Sequence, residues 1–124
     1  MINEFNQSVP GVYASIDEAT RKRGFSMPSD ILTCALLRTL AASKPAGKFL
    51  ELGTGTGLST SWILDGMDDE ARLISLESNE KLLAVAENYL GQDNRLELIH
   101  IGGAEWIPSN AGGKFDYIRR HLAT

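Results

Sequence analysis

The spacing of apolar residues changes character near position 47. Before it, Val12, Ile16 and Ala19 recur at helical spacing across residues 10–23, and Gly24 follows as a natural stop. A second helix is predicted over residues 29–43, opening on Ser29, a good N-cap directly after Pro28. Its apolar positions Ile31, Leu32, Ala35, Leu36, Leu40 and Ala41 form one wide stripe, which Lys44, Pro45 and Gly47 bring to an end. Beyond that point short apolar runs alternate with helical stretches. Residues 48–52 read as a strand entering a glycine loop at 53–57, and a helix is predicted over 58–64 with Gly66 as its stop. Residues 72–76 form a second strand. Asn79 caps the next helix, with Glu80 in its first turn, Leu82, Leu83, Ala86, Tyr89 and Leu90 on one face, and Gly91 closing it. A third strand covers 96–101, a short helix 104–107, and residues 115–118 begin a fourth strand.

Strands alternating with helices of this length indicate an α/β protein on a parallel sheet. Crossovers between parallel strands are right-handed almost without exception. The first two crossovers step outward from strand one to strands two and three, so their helices share a face. The third steps back past strand one to strand four, so its helix lands opposite. A switch point is expected between strands one and four, above their carboxyl ends, where open α/β sheets bind ligands.

The loop at that point reads Glu51-Leu52-Gly53-Thr54-Gly55-Thr56-Gly57. Alternating glycines at a strand-to-helix junction allow backbone angles that a Cβ disfavours, and let a ligand approach the main chain. The spacing is G-x-G-x-G. It departs from the G-x-G-x-x-G of dinucleotide-binding folds, which argues against a nucleotide-dependent oxidoreductase, and no Gly-Lys-Ser/Thr follows to make a phosphate loop. Preceded by Glu51, it matches the acidic-x-G-x-G-x-G signature of S-adenosylmethionine-dependent methyltransferases. Glu77 ends strand two, twenty positions after Gly57, where a carboxylate can accept both hydroxyls of a ribose. Ser78 and Asn79 follow and cap the helix, touch the adenosine, or do both. Gly102-Gly103-Ala104-Glu105-Trp106 comes after strand three, at the same carboxyl edge. For Trp106, partial burial against the sheet is favoured over stacking on a ligand.

Composition narrows the field. The 124 residues fit one domain, divided into N-terminal helices (1–47), an alternating core (48–118) and an atypical tail (119–124). A net charge of −4 opposes a broad phosphate footprint, so nucleic acid is excluded as a partner. The apolar runs are too short for a membrane helix. The start, with Asn3, Glu4, Asn6 and Gln7, lacks the basic and apolar regions of a signal peptide. One cysteine, Cys34, precludes an intrachain disulfide and suits a reducing compartment, so the expected location is cytoplasmic. Cys34 reads as a buried inert thiol, and His100, inside a strand, as a hydrogen-bonded structural residue. No Cys/His cluster has zinc spacing.

Met27-Pro28-Ser29-Asp30, the phrase ELGTGTGLST and the strand LISLES together resemble the bacterial O-methyltransferases related to catechol O-methyltransferase, from about residue 10 to Ile118. The resemblance implies a Rossmann-like class I methyltransferase fold, with only its N-terminal half in this chain: about four strands preceded by two helices. It implies S-adenosylmethionine as cofactor and S-adenosylhomocysteine as product. Glu51, Gly53, Thr54, Gly55, Thr56, Gly57 and Ser59 would then serve its amino-acid end, Glu77 and Ser78 its ribose, and Gly103, Ala104 and Glu105 would border its adenine. Such enzymes often carry Gly-Asp-Ala where this chain has Gly102-Gly103-Ala104, so one side-chain contact is missing. The resemblance also implies that residues 26–29 close over the site. The catalytic residues stay unassigned, and no metal is expected for this chain.

The likeness breaks after Ile118. Relatives continue with a phrase similar to Phe-Ala-Asp-Thr, whose Asp helps place the acceptor and often a metal; here Arg119, Arg120 and His121 follow. One coding of the segment restores the phrase when read one base later, so the expectation is a truncated or frameshifted chain. Strand four would then be a bare edge, which invites pairing, and a homodimer or higher oligomer is expected. The competing reading is a non-catalytic, self-associating fragment, with or without cofactor binding.

Overall fold

The computed structural model describes residues 9–24, 31–110 and 114–120. Two helices come first, α1 (Tyr13–Lys22) and α2 (Ile31–Ala42). The alternating part follows as β1 (Lys48–Leu52), α3 (Leu58–Gly66), β2 (Arg72–Glu77), α4 (Glu80–Leu90), β3 (Leu96–His100), α5 (Gly103–Asn110) and β4 (Tyr117–Arg120). The four strands are parallel in the order β3-β2-β1-β4, with the switch between β1 and β4 expected from the sequence. The expected N-cap Ser29, the segment 26–29 and residues 121–124 lie outside the described residues.

Helices α1 to α4 share one core with a single face of the sheet. Phe49 on β1 and Leu73 on β2 point into a core with Ile16 of α1, Ala41 of α2, Leu58, Ile63 and Leu64 of α3, and Leu90 of α4. α5 lies on the opposite face, where Gly103 approaches Leu52. Helix α3 is buried from Leu58 through Leu64 because it is wedged between the sheet and α2. That position explains an apolar-rich helix without a strong polar face. Trp62 on α3 is fully buried, meets the edge of the Tyr13 ring at 5.9 Å, and carries the Arg38 guanidinium 4.5 Å above its centre. These contacts bind α1 and α2 to α3.

Several boundaries differ from expectation, α1 among them, which begins at Tyr13 rather than at residue 10. α5 runs from Gly103 to Asn110 rather than 104–107. β4 begins two residues later than expected and continues through Arg120. Asp116 holds the start of β1 with two bonds: its carboxylate accepts from Lys48 N–H (2.8 Å) and its own N–H donates to the Lys48 carbonyl (2.7 Å). Pairing then starts at Phe49 with Tyr117, their rings stacked 5.7 Å apart, and carries Arg119 opposite Glu51 and Arg120 opposite Leu52. The first two residues of the expected tail are therefore strand. Arg119 fits poorly there, since its Nε is buried with no hydrogen-bond partner among the described residues. Gly66 also differs. It ends α3 without a left-handed turn, and it is glycine because a Cβ would lie 2.2 Å from the Arg38 carbonyl oxygen of α2.

Candidate functional site

The carboxyl ends of β1, β2 and β3 converge, and each leads into one of the segments singled out by the sequence. β1 delivers the glycine loop. Gly53, Gly55 and Gly57 all adopt left-handed backbone conformations (φ 99°, 59° and 99°). At Gly57 the demand is doubled, because a Cβ would sit 2.8 Å from Leu90 Cδ1 of α4 and 3.2 Å from Ala86 Cβ. This glycine lets α4 pack against the start of α3, and so sets where α3 begins. The loop is tied to β2 by Gly53 and Thr54 N–H groups, which both donate to the Leu76 carbonyl (2.8 and 3.0 Å).

Behind the loop lies a buried hydroxyl network built on Glu51. Its carboxylate has no solvent exposure and accepts from Ser59 Oγ (2.7 Å) on one oxygen and from Ser75 Oγ (2.7 Å) and Thr60 Oγ1 on the other. Ser75 has one proton and gives it to the carboxylate, so at the 2.6 Å contact between Thr54 Oγ1 and Ser75 Oγ, Thr54 is the donor. Burial raises the Glu51 pKa above its ordinary value, and hydrogen bonds from Thr60, Ser59 and Ser75 act against that rise. The Arg119 charge acts in the same lowering direction.

This network engages several side chains that the resemblance assigns to the cofactor. The Glu51 carboxylate is turned inward, where it braces the loop, the first turn of α3 and β2. Thr54, Thr56 and Ser59 are likewise buried, with hydroxyls engaged by Ser75, Thr20 and Glu51 respectively. The N–H groups of Gly53, Thr54, Gly55 and Gly57 are themselves engaged, by the Leu76 carbonyl, Glu77 and the Thr54 carbonyl, so the donors left over are those at the start of α3, which a helix leaves without intrahelical partners.

Glu77, at the tip of β2, faces the loop. One carboxylate oxygen accepts from Gly55 N–H (2.7 Å) and the other from Asn79 N–H (2.9 Å). Each oxygen keeps a second acceptor position, as an ionised carboxylate has about four. Asn79 caps α4 through Oδ1, which accepts from Lys81 N–H (2.9 Å) and Leu82 N–H (3.3 Å). Ser78 is exposed, and its carbonyl lies 3.0 Å from His100 Nε2 at the end of β3. His100 is therefore a hydrogen-bonded residue, and it steadies the 77–79 turn.

The third segment opens α5. Gly103 stands over Leu52, and a Cβ there would meet Leu52 Cδ2 at an ordinary 3.6 Å, so the absence of a side chain is not forced by packing. Ala104 and Glu105 are exposed on the first turn, and Trp106 is half-buried, tilted against Phe115 at 6.2 Å. The structure thus brings the backbone of 53–57, Glu77, Ser78 and the 102–105 turn to one edge. Ser75, Thr60 and Thr20 were not singled out by sequence. A signal existed for Ser75, since a polar residue between Ile74 and Leu76 in an interior strand must find a partner.

Comparison with known proteins follows the same lines. The family described as Protein-L-isoaspartate(D-aspartate) O-methyltransferase (PCMT) matches residues 11–118. The catechol O-methyltransferase of Mycobacterium tuberculosis (strain ATCC 25618 / H37Rv) is 34% identical over 82 residues, 64% of this chain and 37% of that protein. Among solved structures, cofactor-bound Rv0187 from MTB superposes with a TM-score of 0.79 at 26% identity, over 96% of this chain and 58% of that one. The SAH-bound methyltransferase PaMTH1 of Podospora anserina gives a TM-score of 0.73 at 27% identity, over 92% and 51% respectively. The chain thus spans little more than half of these solved structures and under two fifths of the curated relative.

Proposed function

The chain belongs to the PCMT family of O-methyltransferases, in the class I S-adenosylmethionine-dependent lineage, and from that premise we propose that it binds S-adenosylmethionine across the 53–57 loop and Glu77. One observation carries the reading. The loop turns every hydroxyl inward and leaves a main-chain cradle, and a carboxylate with spare acceptor positions sits 2.7 Å from its central glycine. The residues suit the cofactor's parts. N–H groups of the first turn of α3 match the methionyl carboxylate. Glu77 matches the ribose hydroxyls. The backbone of Gly103, Ala104 and Glu105 borders the adenine. The Podospora anserina relative holding S-adenosylhomocysteine supports the same ligand class.

The cofactor supplies a sulfonium methyl for in-line displacement by an acceptor oxygen. The protein's share is then to position and desolvate. The groups above hold the donor; the acceptor and the activity of the whole protein belong to this proposal too. Titration calorimetry with S-adenosylmethionine, S-adenosylhomocysteine and NAD is the test. Heat from the first two alone is expected, while binding of NAD alone, or of none of the three, overturns the reading.

Self-association and a cytoplasmic location are part of the same proposal. Ile118 on the edge strand β4 is 62% exposed, which favours burial against a second copy. A single thiol on Cys34 suits a reducing compartment, and among the described residues no helix is long and apolar enough to cross a membrane.

A further inference from the structure

Thr20 lies on α1, thirty-six positions before Thr56 of the glycine loop, and is 2% exposed. Its one hydroxyl proton is shared between the Ile16 carbonyl at 2.6 Å and Thr56 Oγ1 at 2.8 Å. Thr56 itself has no exposure. A bond back to the carbonyl four residues earlier gives a helix nothing it lacks, and slightly weakens it. A valine of the same shape would fill the space with no polar atom to bury. The hydroxyl at this buried junction is therefore accounted for by the loop.

The loop needs such support. Thr56 stands between Gly55 and Gly57, both left-handed, and glycines give up the most chain entropy on ordering. Its two threonines are held from different directions, Thr54 by Ser75 of β2 and Thr56 by Thr20 of α1. α1 meanwhile is seated by apolar contacts of its own, through the fully buried Ile16 and through Tyr13 against Trp62.

We propose that Thr20 is a positioning residue of the cofactor site: it latches α1 to the glycine loop through Thr56 and so fixes the loop's shape at the start of α3. The inference rests on the cofactor reading given above, yet its mechanical part can be measured without any ligand. α1 then belongs to the site although it carries none of the glycine motif.

The experiment uses the full chain with Thr20→Val and Thr20→Ser. Amide hydrogen exchange is followed in the peptide spanning 53–59 without ligand, and S-adenosylhomocysteine is titrated by calorimetry. Thr20→Val is expected to speed exchange in that peptide about tenfold, with β2 and β3 peptides unchanged, and to weaken S-adenosylhomocysteine by about the same factor. Thr20→Ser restores both. Unchanged loop exchange in Thr20→Val overturns the latch, as does acceleration spread evenly over all peptides, or no recovery in Thr20→Ser. Absence of binding by the wild-type chain would instead remove the cofactor reading, and the exchange measurement would still decide the latch.

Discussion

Glu51 is the residue on which the loop's shape depends most. Its carboxylate is buried, and burial lifts its pKa while three hydroxyl donors pull the other way. The folded value lies above the ordinary one, so the native state holds its proton to higher pH than the unfolded chain does. Between the unfolded and the folded pKa the native state binds more protons, and stability falls as pH rises through that window. The contribution is complete below the ordinary carboxylate value and lost above the raised one. Glu51→Gln removes the titration. Its stability relative to wild type is therefore expected to improve steadily from pH 4 to pH 7 in urea unfolding, and a constant difference across that range would show that Glu51 does not titrate as described. The acid itself was legible, since Glu51 precedes a glycine run of known type. Its inward direction was not. That depends on Ser75 and Thr60, and sequence alone does not say on which side of a loop a hydroxyl finds its acceptor.

At the scale of elements, local chemistry was read well and tertiary contacts were not. β1, β2 and β3 fall within a residue of their expected ends because each has a sharp local signal: alternating or continuous apolar runs bounded by glycine, Asp or Asn. Asn79 caps α4 as expected because capping is decided within four residues. β4 was misplaced by two residues because its start is set by Asp116 gripping Lys48, a contact between distant parts of the chain. Gly66 ends its helix as expected, but the sequence did not show its second constraint, the Arg38 carbonyl of the helix packed beside it. Gly66→Ala tests that constraint. A methyl at 2.2 Å from a backbone oxygen must push α2 and α3 apart, whereas at a simple helix end alanine would be neutral or slightly favourable. A loss of roughly 1–3 kcal/mol in denaturant unfolding is expected, the usual range for forced overpacking. An unchanged midpoint would leave Gly66 with the role of a stop alone.

For the molecule as a whole, the outer edge at β4 bears on whether copies of the chain meet. Among the described residues, β4 has β1 on one side and no strand on the other. Next to it, a groove of about 300 Å³ opens between β4 and α2, lined by Leu37, Leu40, Phe49 and Tyr117 among others. Leu36 of α2 and Ile118 are exposed at 56% and 62%. Apolar surface of this kind beside open strand hydrogen-bonding groups is a template for pairing. Arg119 and Arg120 on the same strand work against it, since like charges must be brought together when two identical edges meet antiparallel. The balance decides the assembly state, and it can be tipped from one residue. Ile118→Lys adds a charge where the wild type is apolar and contacts little, so the melting temperature of the isolated chain should change by only a degree or two. If the edge pairs, sedimentation velocity at tens of micromolar should move the variant from an associated to a monomeric species. If wild type and variant sediment alike, this edge is not where copies of the chain meet.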